Sequence, residues 1–73
     1  MLVLYGRSDC PLCEDAEDVL NRYNIRYHFH DIDEDEELLR KYHTKVPVLS
    51  KNEEELFWPF TEEKILKLIS LKE

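Results

Sequence analysis

Residues 1–13 read MLVLYGRSDCPLC, and this stretch decides the fold because it joins an apolar run to a helix start that carries two cysteines. Residues 2–5 are typical of a short buried strand, and a loop follows them. Pro11 suits the first position of a helix, so a helix is predicted to begin there. The N–H groups and the positive dipole end of its first turn stabilise a thiolate on Cys10, and Cys13 is within reach as a resolving thiol.

The composition is that of one small acidic domain. The chain of 73 residues carries 17 acidic and 10 basic residues, with a formal net charge of −7. We therefore expect a single domain over residues 1–73 that binds neither nucleic acid nor anionic membranes. No run approaches the ~20 apolar residues of a membrane span, and the first residues lack a signal-peptide pattern. The prediction is a cytoplasmic monomer, and in that compartment a Cys-x-x-Cys pair is catalytic or metal-binding more often than structural.

The middle of the chain shows one helical and one alternating pattern. Apolar residues recur with helical spacing over 11–23, where the predicted buried positions are Leu12, Ala16, Val19, Leu20 and Tyr23. Alternation over 25–30 predicts a half-exposed strand with His28 and His30 on its exposed side. Asp33 is predicted to cap a second helix, since Glu36 follows it in a capping-box arrangement.

The last third predicts a hairpin and a helix. The apolar run 46–49 contains Pro47, which predicts an edge, a bulge or another special position for this strand. A turn over 50–53 leads to a returning strand over 54–58, and Thr61 is predicted to cap the last helix. The apolar positions of that helix are Ile65, Leu66, Leu68, Ile69 and Leu71. The order β-α-β-α-β-β-α predicts an α/β fold with a four-stranded mixed sheet and helices on both faces.

This order, with Cys10-Pro11-Leu12-Cys13 after the first strand and Val46-Pro47 before the third, resembles the glutaredoxins, the smallest form of the thioredoxin superfamily. The resemblance covers essentially the whole chain. Residues 4–13 and the Trp-Pro-Phe string at 58–60 are similar to a group of small glutaredoxin-like proteins catalogued as a domain of unknown function.

The resemblance implies roles for individual residues. Cys10 would be the nucleophile and Cys13 the resolving thiol of a thiol–disulfide oxidoreductase in cell redox homeostasis. The bond between Val46 and Pro47 would be cis, which turns the Val46 N–H and C=O toward the cleft, where they could pair with an extended substrate.

Three more residues are predicted to contact the substrate. Arg7 could stabilise the Cys10 thiolate or hold a substrate carboxylate, while Pro11 and Tyr5 would line the cleft. No bound cofactor and no metal are expected, and the partner would be a disulfide-containing protein or a small thiol.

One departure from the family pattern concerns glutathione. Glutaredoxins that use glutathione carry a Gly-Gly-x-Asp segment after the last strand, but this chain has Phe-Trp-Pro-Phe-Thr at 57–61, and its single glycine is Gly6. Glu62 and Glu63 would also oppose a carboxylate there. Glutathione as the reductant is therefore doubtful, and a reductase of the thioredoxin-reductase type is the alternative.

Two other interpretations of the cysteine pair remain open. Cys10 and Cys13 could be inert thiols in a non-enzymatic binding module of the thioredoxin fold. They could also bind a metal in a carrier protein, with His28 and His30 as further ligands.

Overall fold

A computed structural model of the chain describes residues 2–70. These residues form four strands and three α-helices, with a short 3₁₀ turn between the second strand and the second helix. The elements are β1 (Leu2–Gly6), α1 (Pro11–Arg22), β2 (His28–Asp31), the 3₁₀ turn (Ile32–Glu34), α2 (Glu36–Tyr42), β3 (Val48–Lys51), β4 (Glu54–Phe57) and α3 (Glu62–Ile69). The predicted order β-α-β-α-β-β-α is confirmed.

The four strands form one mixed sheet in the order β2-β1-β3-β4. β1 and β2 are parallel, and their register places Gly6 opposite Asp31. β3 is antiparallel to both β1 and β4. The hairpin between β3 and β4 turns at Asn52, whose φ of 57° lies in the left-handed region that asparagine tolerates better than most residues.

Both faces of the sheet carry a core, because alternate side chains of β1 point to opposite sides. One cluster joins Leu2 and Leu4 of β1 to α1 and α3. The other cluster contains Ile32, Tyr42 and Val48, with Tyr5 of β1 packed against it, and so places α2 on the opposite face. The prediction of helices on both faces is thus confirmed.

Side chains cap the starts of all three helices. Cys10 caps α1 and Thr61 caps α3, where the Thr61 hydroxyl accepts from the Lys64 N–H. The prediction of Asp33 as the cap of α2 was wrong: Asp35 accepts from the N–H groups of the first turn instead. The 3₁₀ turn takes up residues 32–34 and delays the helix by two residues.

The second strand begins later than the alternation predicted. The N–H of Ile25 donates to Leu20 across 2.9 Å, and the N–H of Asn24 donates to Asn21 across 3.1 Å. With Asn24 at a φ of 57°, these bonds form a Schellman motif that ends α1. The strand starts three residues after Ile25, at His28, and His30 is half-buried rather than on a solvated surface.

The third strand and several helix positions also differ from the predictions. β3 lies inside the sheet, and Pro47 precedes it, so its missing N–H interrupts no ladder of that strand. Leu12, Tyr23 and Leu66, predicted as buried, are exposed. Leu71 lies outside the described residues. Within residues 2–70, no helix is both long and apolar enough to cross a membrane.

Candidate active site

Cys10 lies where the loop after β1 turns into α1. It has extended backbone angles (φ −138°, ψ 106°), as a cap residue does, and Pro11 follows at the first helical position. The N–H of Cys13 donates to the Cys10 Sγ across 3.2 Å. The Cys10 side chain is half-exposed. Its sulfur therefore occupies the position of a capping oxygen, where an N–H donor and the helix dipole both favour negative charge.

Cys13 has a different environment from Cys10, although it is one helical turn away. Its relative exposure is 1%, whereas Cys10 remains accessible, and both are free thiols. The pKa of Cys13 is raised to about 12, mainly because the side chain is buried. The contact with Cys10 and the negative charge of Glu17 also raise it. The pair thus consists of one accessible sulfur and one buried sulfur that holds its proton.

A cleft of about 500 Å³ opens beside Cys10. Of the seven residues predicted for the site, the structure places four in its lining: Arg7, Cys10, Pro11 and Val46. The cleft is lined along one side by the loop after β1 and the first turn of α1, which explains why neighbours in the sequence meet there.

Arg7 contributes the cleft's guanidinium, and Asp33 holds it. The Arg7 Nη2 lies 2.9 Å from Asp33 Oδ1, and the Arg7 Nε donates to Asp33 Oδ2 across 3.2 Å. The hydrogen bond with Asp33 is the main reason that the pKa of Arg7 is raised above its usual range. Asp33 lines the cleft as well.

The peptide bond between Val46 and Pro47 is cis, as predicted. Val46 lines the cleft, but its N–H already donates to the Tyr42 carbonyl across 3.1 Å. The prediction that both backbone groups of Val46 pair with a substrate must therefore be corrected, since only the carbonyl remains for that purpose. Pro47 is fully buried and is not among the described residues that line the cleft.

Tyr5 lies away from the cleft lining. Its ring stacks on Tyr42 with centroids 5.0 Å apart and meets the edge of His30 at 5.8 Å. These contacts place Tyr5 in the second core cluster. A contact between Tyr5 and a substrate stays a prediction.

Five residues of the cleft lining were not predicted from the sequence: Ser8, Asp9, Leu12, Asp33 and His43. Leu12 follows the helical spacing of buried positions, but it precedes Cys13 in the first turn and is 48% exposed. His43 follows the last residue of α2, and its N–H donates to Leu39 across 2.9 Å. Ser8, Asp9 and Leu12 lie beside or between the two cysteines in the sequence, and this nearness was the available signal. Nothing local marks Asp33 or His43.

The two histidines considered as metal ligands lie together on β2. The rings of His28 and His30 have centroids 6.4 Å apart. Among residues 2–70, no group of three or more His, Cys, Asp or Glu side chains is placed to hold a metal ion.

A family model described as a glutaredoxin-like domain (DUF836) matches residues 1–70. The chain belongs to this glutaredoxin-like family. The match confirms the resemblance drawn from the Cys-x-x-Cys segment and the Val-Pro pair. No curated protein matches the chain.

Solved structures support the assignment. The crystal structure of the target protein XcR50 from X. campestris has a TM-score of 0.83 at 34% identity, covering 94% of this chain and 95% of that one. The solution structure of Ne2328 from Nitrosomonas europaea has a TM-score of 0.75 at 32% identity, covering 90% and 86%. The crystal structure of the glutaredoxin grx-1 from Archaeoglobus fulgidus has a TM-score of 0.69 at 28% identity, covering 94% and 85%. The glutaredoxin-like protein described here thus has the thioredoxin-type α/β fold, with its dithiol at the start of α1.

Proposed function

We propose that this glutaredoxin-like protein is a thiol–disulfide oxidoreductase in which Cys10 attacks and Cys13 resolves. One observation carries the proposal: the Cys13 N–H donates to a half-exposed Cys10 Sγ across 3.2 Å, while the Cys13 thiol itself is buried and holds its proton. Nucleophilic attack needs an accessible thiolate, and a premature reaction of the second sulfur is prevented when that sulfur stays protonated.

In the first step, the Cys10 thiolate attacks one sulfur of a substrate disulfide. A bond forms between Cys10 and that sulfur, and the other substrate sulfur leaves as a thiolate that takes a proton from water. The cleft beside Cys10, with Val46 on its wall, is large enough to admit a peptide segment or a small disulfide.

In the second step, Cys13 gives up its proton to water, and the thiolate so formed attacks the Cys10 sulfur. The mixed disulfide breaks, the second substrate thiolate leaves, and a bond forms between Cys10 and Cys13. Two electrons have then passed from the dithiol to the substrate. The short separation along one helical turn favours this intramolecular step.

The proposal needs no bound cofactor, since the dithiol carries the electrons. The segment after β4 argues against glutathione as the main reductant: Phe60 is buried in the first core cluster, and its ring meets Trp58 edge-on with centroids 5.1 Å apart. Aromatic packing occupies the place where glutathione-dependent glutaredoxins have a glycine pair. We propose a protein disulfide or a small disulfide as the substrate, a reductase as the electron source, and a cytoplasmic monomer as the working form.

Single-cysteine variants test the proposal. Cys13→Ser should accumulate mixed disulfides through Cys10 when the protein is mixed with a model disulfide, and mass spectrometry detects the adduct. Cys10→Ser is the matched control and should trap no adduct at the same pH, because its remaining thiol is buried and protonated. Adduct formation by Cys10→Ser but not by Cys13→Ser would reverse the roles, and the absence of adducts in both would refute the activity.

A further inference from the structure

The charged residues of the cleft indicate a substrate class for the proposed function, on which this inference rests. Among the described residues that line the cleft, Arg7 is the one with a permanent positive charge. A guanidinium beside a nucleophilic sulfur suits a substrate carboxylate, since its N–H groups form a fork that fits two carboxylate oxygens.

That fork is already engaged. Arg7 contacts both oxygens of Asp33, through Nη2 at 2.9 Å and through Nε at 3.2 Å. Both side chains are close to 40% exposed, so the pair lies at the mouth of the cleft and not beneath it. Asp33 therefore occupies the position that a substrate carboxylate would need.

Two further carboxylates, Asp9 and Asp31, add negative charge near the cleft. Asp9 lines it, and Asp31 lies close enough to Arg7 to act on the guanidinium through its charge. Lys45 lies next to Val46 in the chain, but it lines a separate cavity with Thr44, Phe57 and Trp58. The whole chain carries a net charge of −7, which adds a negative background.

We infer that this cleft selects disulfides with positive charge near the sulfur, such as those in basic peptide segments, and that Asp33 sets this preference by neutralising Arg7. A carboxylate-bearing disulfide meets Asp9 and a guanidinium that is already paired. A cationic disulfide meets Asp9, while the guanidinium of the cleft is held by Asp33. In water, one unit charge a few ångströms away changes a rate or affinity by about fivefold.

The electron balance is that of the proposed function. The cationic disulfide accepts two electrons and becomes two thiols, while Cys10 and Cys13 become a disulfide. The preference arises in the first step, because that is when the charged substrate approaches the Cys10 sulfur.

Three small disulfides of similar size test the inference. Cystamine carries two ammonium groups, 3,3′-dithiodipropionate carries two carboxylates, and bis(2-hydroxyethyl) disulfide is neutral. The reduced protein is mixed with each in excess, quenched by alkylation and analysed by mass spectrometry for the oxidised form. Each rate is divided by the rate of the same disulfide with 2-mercaptoethanol, so that intrinsic reactivity cancels.

The wild-type protein should prefer cystamine to dithiodipropionate by about tenfold or more at low ionic strength, and this preference should shrink with added salt. Asp33→Asn, which frees Arg7, should reduce the ratio by about fivefold. Glu34→Gln changes the net charge equally at an exposed neighbour that is not in the cleft lining, and it should change the ratio less than about twofold. Arg7→Gln leaves the charge of Asp33 without a partner and should raise the ratio. This variant tests the charge selection if Asp33→Asn fails to fold.

The outcomes separate the two proposals. If the wild-type protein reduces the neutral disulfide but the ratio is the same in Asp33→Asn, Arg7→Gln and wild type, the charge selection is refuted and the oxidoreductase stands. If the wild-type protein reduces none of the three disulfides, the proposed function fails and the substrate preference fails with it.

Discussion

Gly6 lies directly against Cys13: a methyl group added to Gly6 would stand 3.2 Å from the Cys13 sulfur. It would also stand 2.9 Å from Cε1 of Phe29, closer than side-chain carbons approach each other. The end of β1 and the first turn of α1 are therefore in contact without room for a side chain. The single glycine of the chain is explained by this close approach and not by a turn.

Gly6→Ala should destabilise the reduced protein by about 1–3 kcal/mol, because either the Phe29 ring or Cys13 must move to admit the methyl group. It should also slow resolution by Cys13, since a displaced sulfur attacks Cys10 less efficiently. Urea unfolding measures the first effect, and single-turnover kinetics measure the second.

The same substitution in a Phe29→Leu background is the control for its cause. The shorter side chain removes the nearest atom, so Gly6→Ala should cost less there than in the wild-type protein. A Gly6→Ala variant with unchanged unfolding midpoint and resolution rate would contradict the close-approach argument.

Local patterns predicted the architecture well, for physical reasons that particular residues illustrate. Pro11 and Thr61 were assigned correctly because a helix start depends on the few residues around it. The two cysteines were assigned to one site because residues three positions apart at a helix start lie about one turn from each other. The cis bond before Pro47 followed from the family resemblance and not from the local pattern.

The cleft also contains residues from distant parts of the chain, and local patterns do not reveal which of them meet there. The parallel pairing of β1 and β2 puts Gly6 opposite Asp31, and this brings Arg7 and Asp33 together across 26 positions of the chain. His43 reaches the cleft because α2 ends there. Asp33 was predicted as a helix cap because Glu36 follows it three residues later. In the structure, however, Asp33 lies inside the 3₁₀ turn that precedes α2.

The pH dependence of the second chemical step follows from the burial of Cys13, which is the main cause that raises its pKa to about 12. An aromatic disulfide reagent that releases a coloured thiol should show two phases, the first from Cys10 and the second from Cys13. Below its pKa, the thiolate fraction of Cys13 grows tenfold with each pH unit, so the rate of the second phase should rise steeply between about pH 6 and pH 9.

Cys13→Ser assigns the phases, because it should retain the first and lack the second. A second phase whose rate stays constant over this range would mean that Cys13 is already ionised and that its burial does not control resolution.

Tyr27→Phe should destabilise the protein by about 1–2 kcal/mol, because the Tyr27 hydroxyl donates to Glu17 Oε1 across 2.7 Å at a partly buried position. Burial and this bond raise the pKa of Tyr27 from 10.0 to about 12. The stabilisation is therefore complete below the unfolded-state value and is lost as the pH rises through the folded-state value, since the unfolded chain releases the proton first.

The difference between wild type and Tyr27→Phe in the free energy of unfolding should accordingly shrink between about pH 10 and pH 12. Tyr23→Phe is the matched control at a tyrosine that is 38% exposed, and it should change stability by less than about 0.5 kcal/mol. A difference that stays constant with pH would refute the role of the hydroxyl proton.

Asp35→Ala should cost about 0.5–2 kcal/mol, because its Oδ1 accepts from the N–H of Glu37 at 2.9 Å and of Leu38 at 3.3 Å at the start of α2. Asp33→Ala removes the same charge but loses only a solvent-exposed ion pair with Arg7, so its loss of stability should be smaller.

The effects on disulfide exchange should have the opposite order, since Asp33 lines the cleft and Asp35 does not line it in the described part of the chain. Urea unfolding and the cystamine-to-dithiodipropionate rate ratio, measured on both variants, check the two orders. If Asp33→Ala were the more destabilising variant, Asp33 would be a structural residue, and its pairing with Arg7 would serve the fold instead of the choice of substrate.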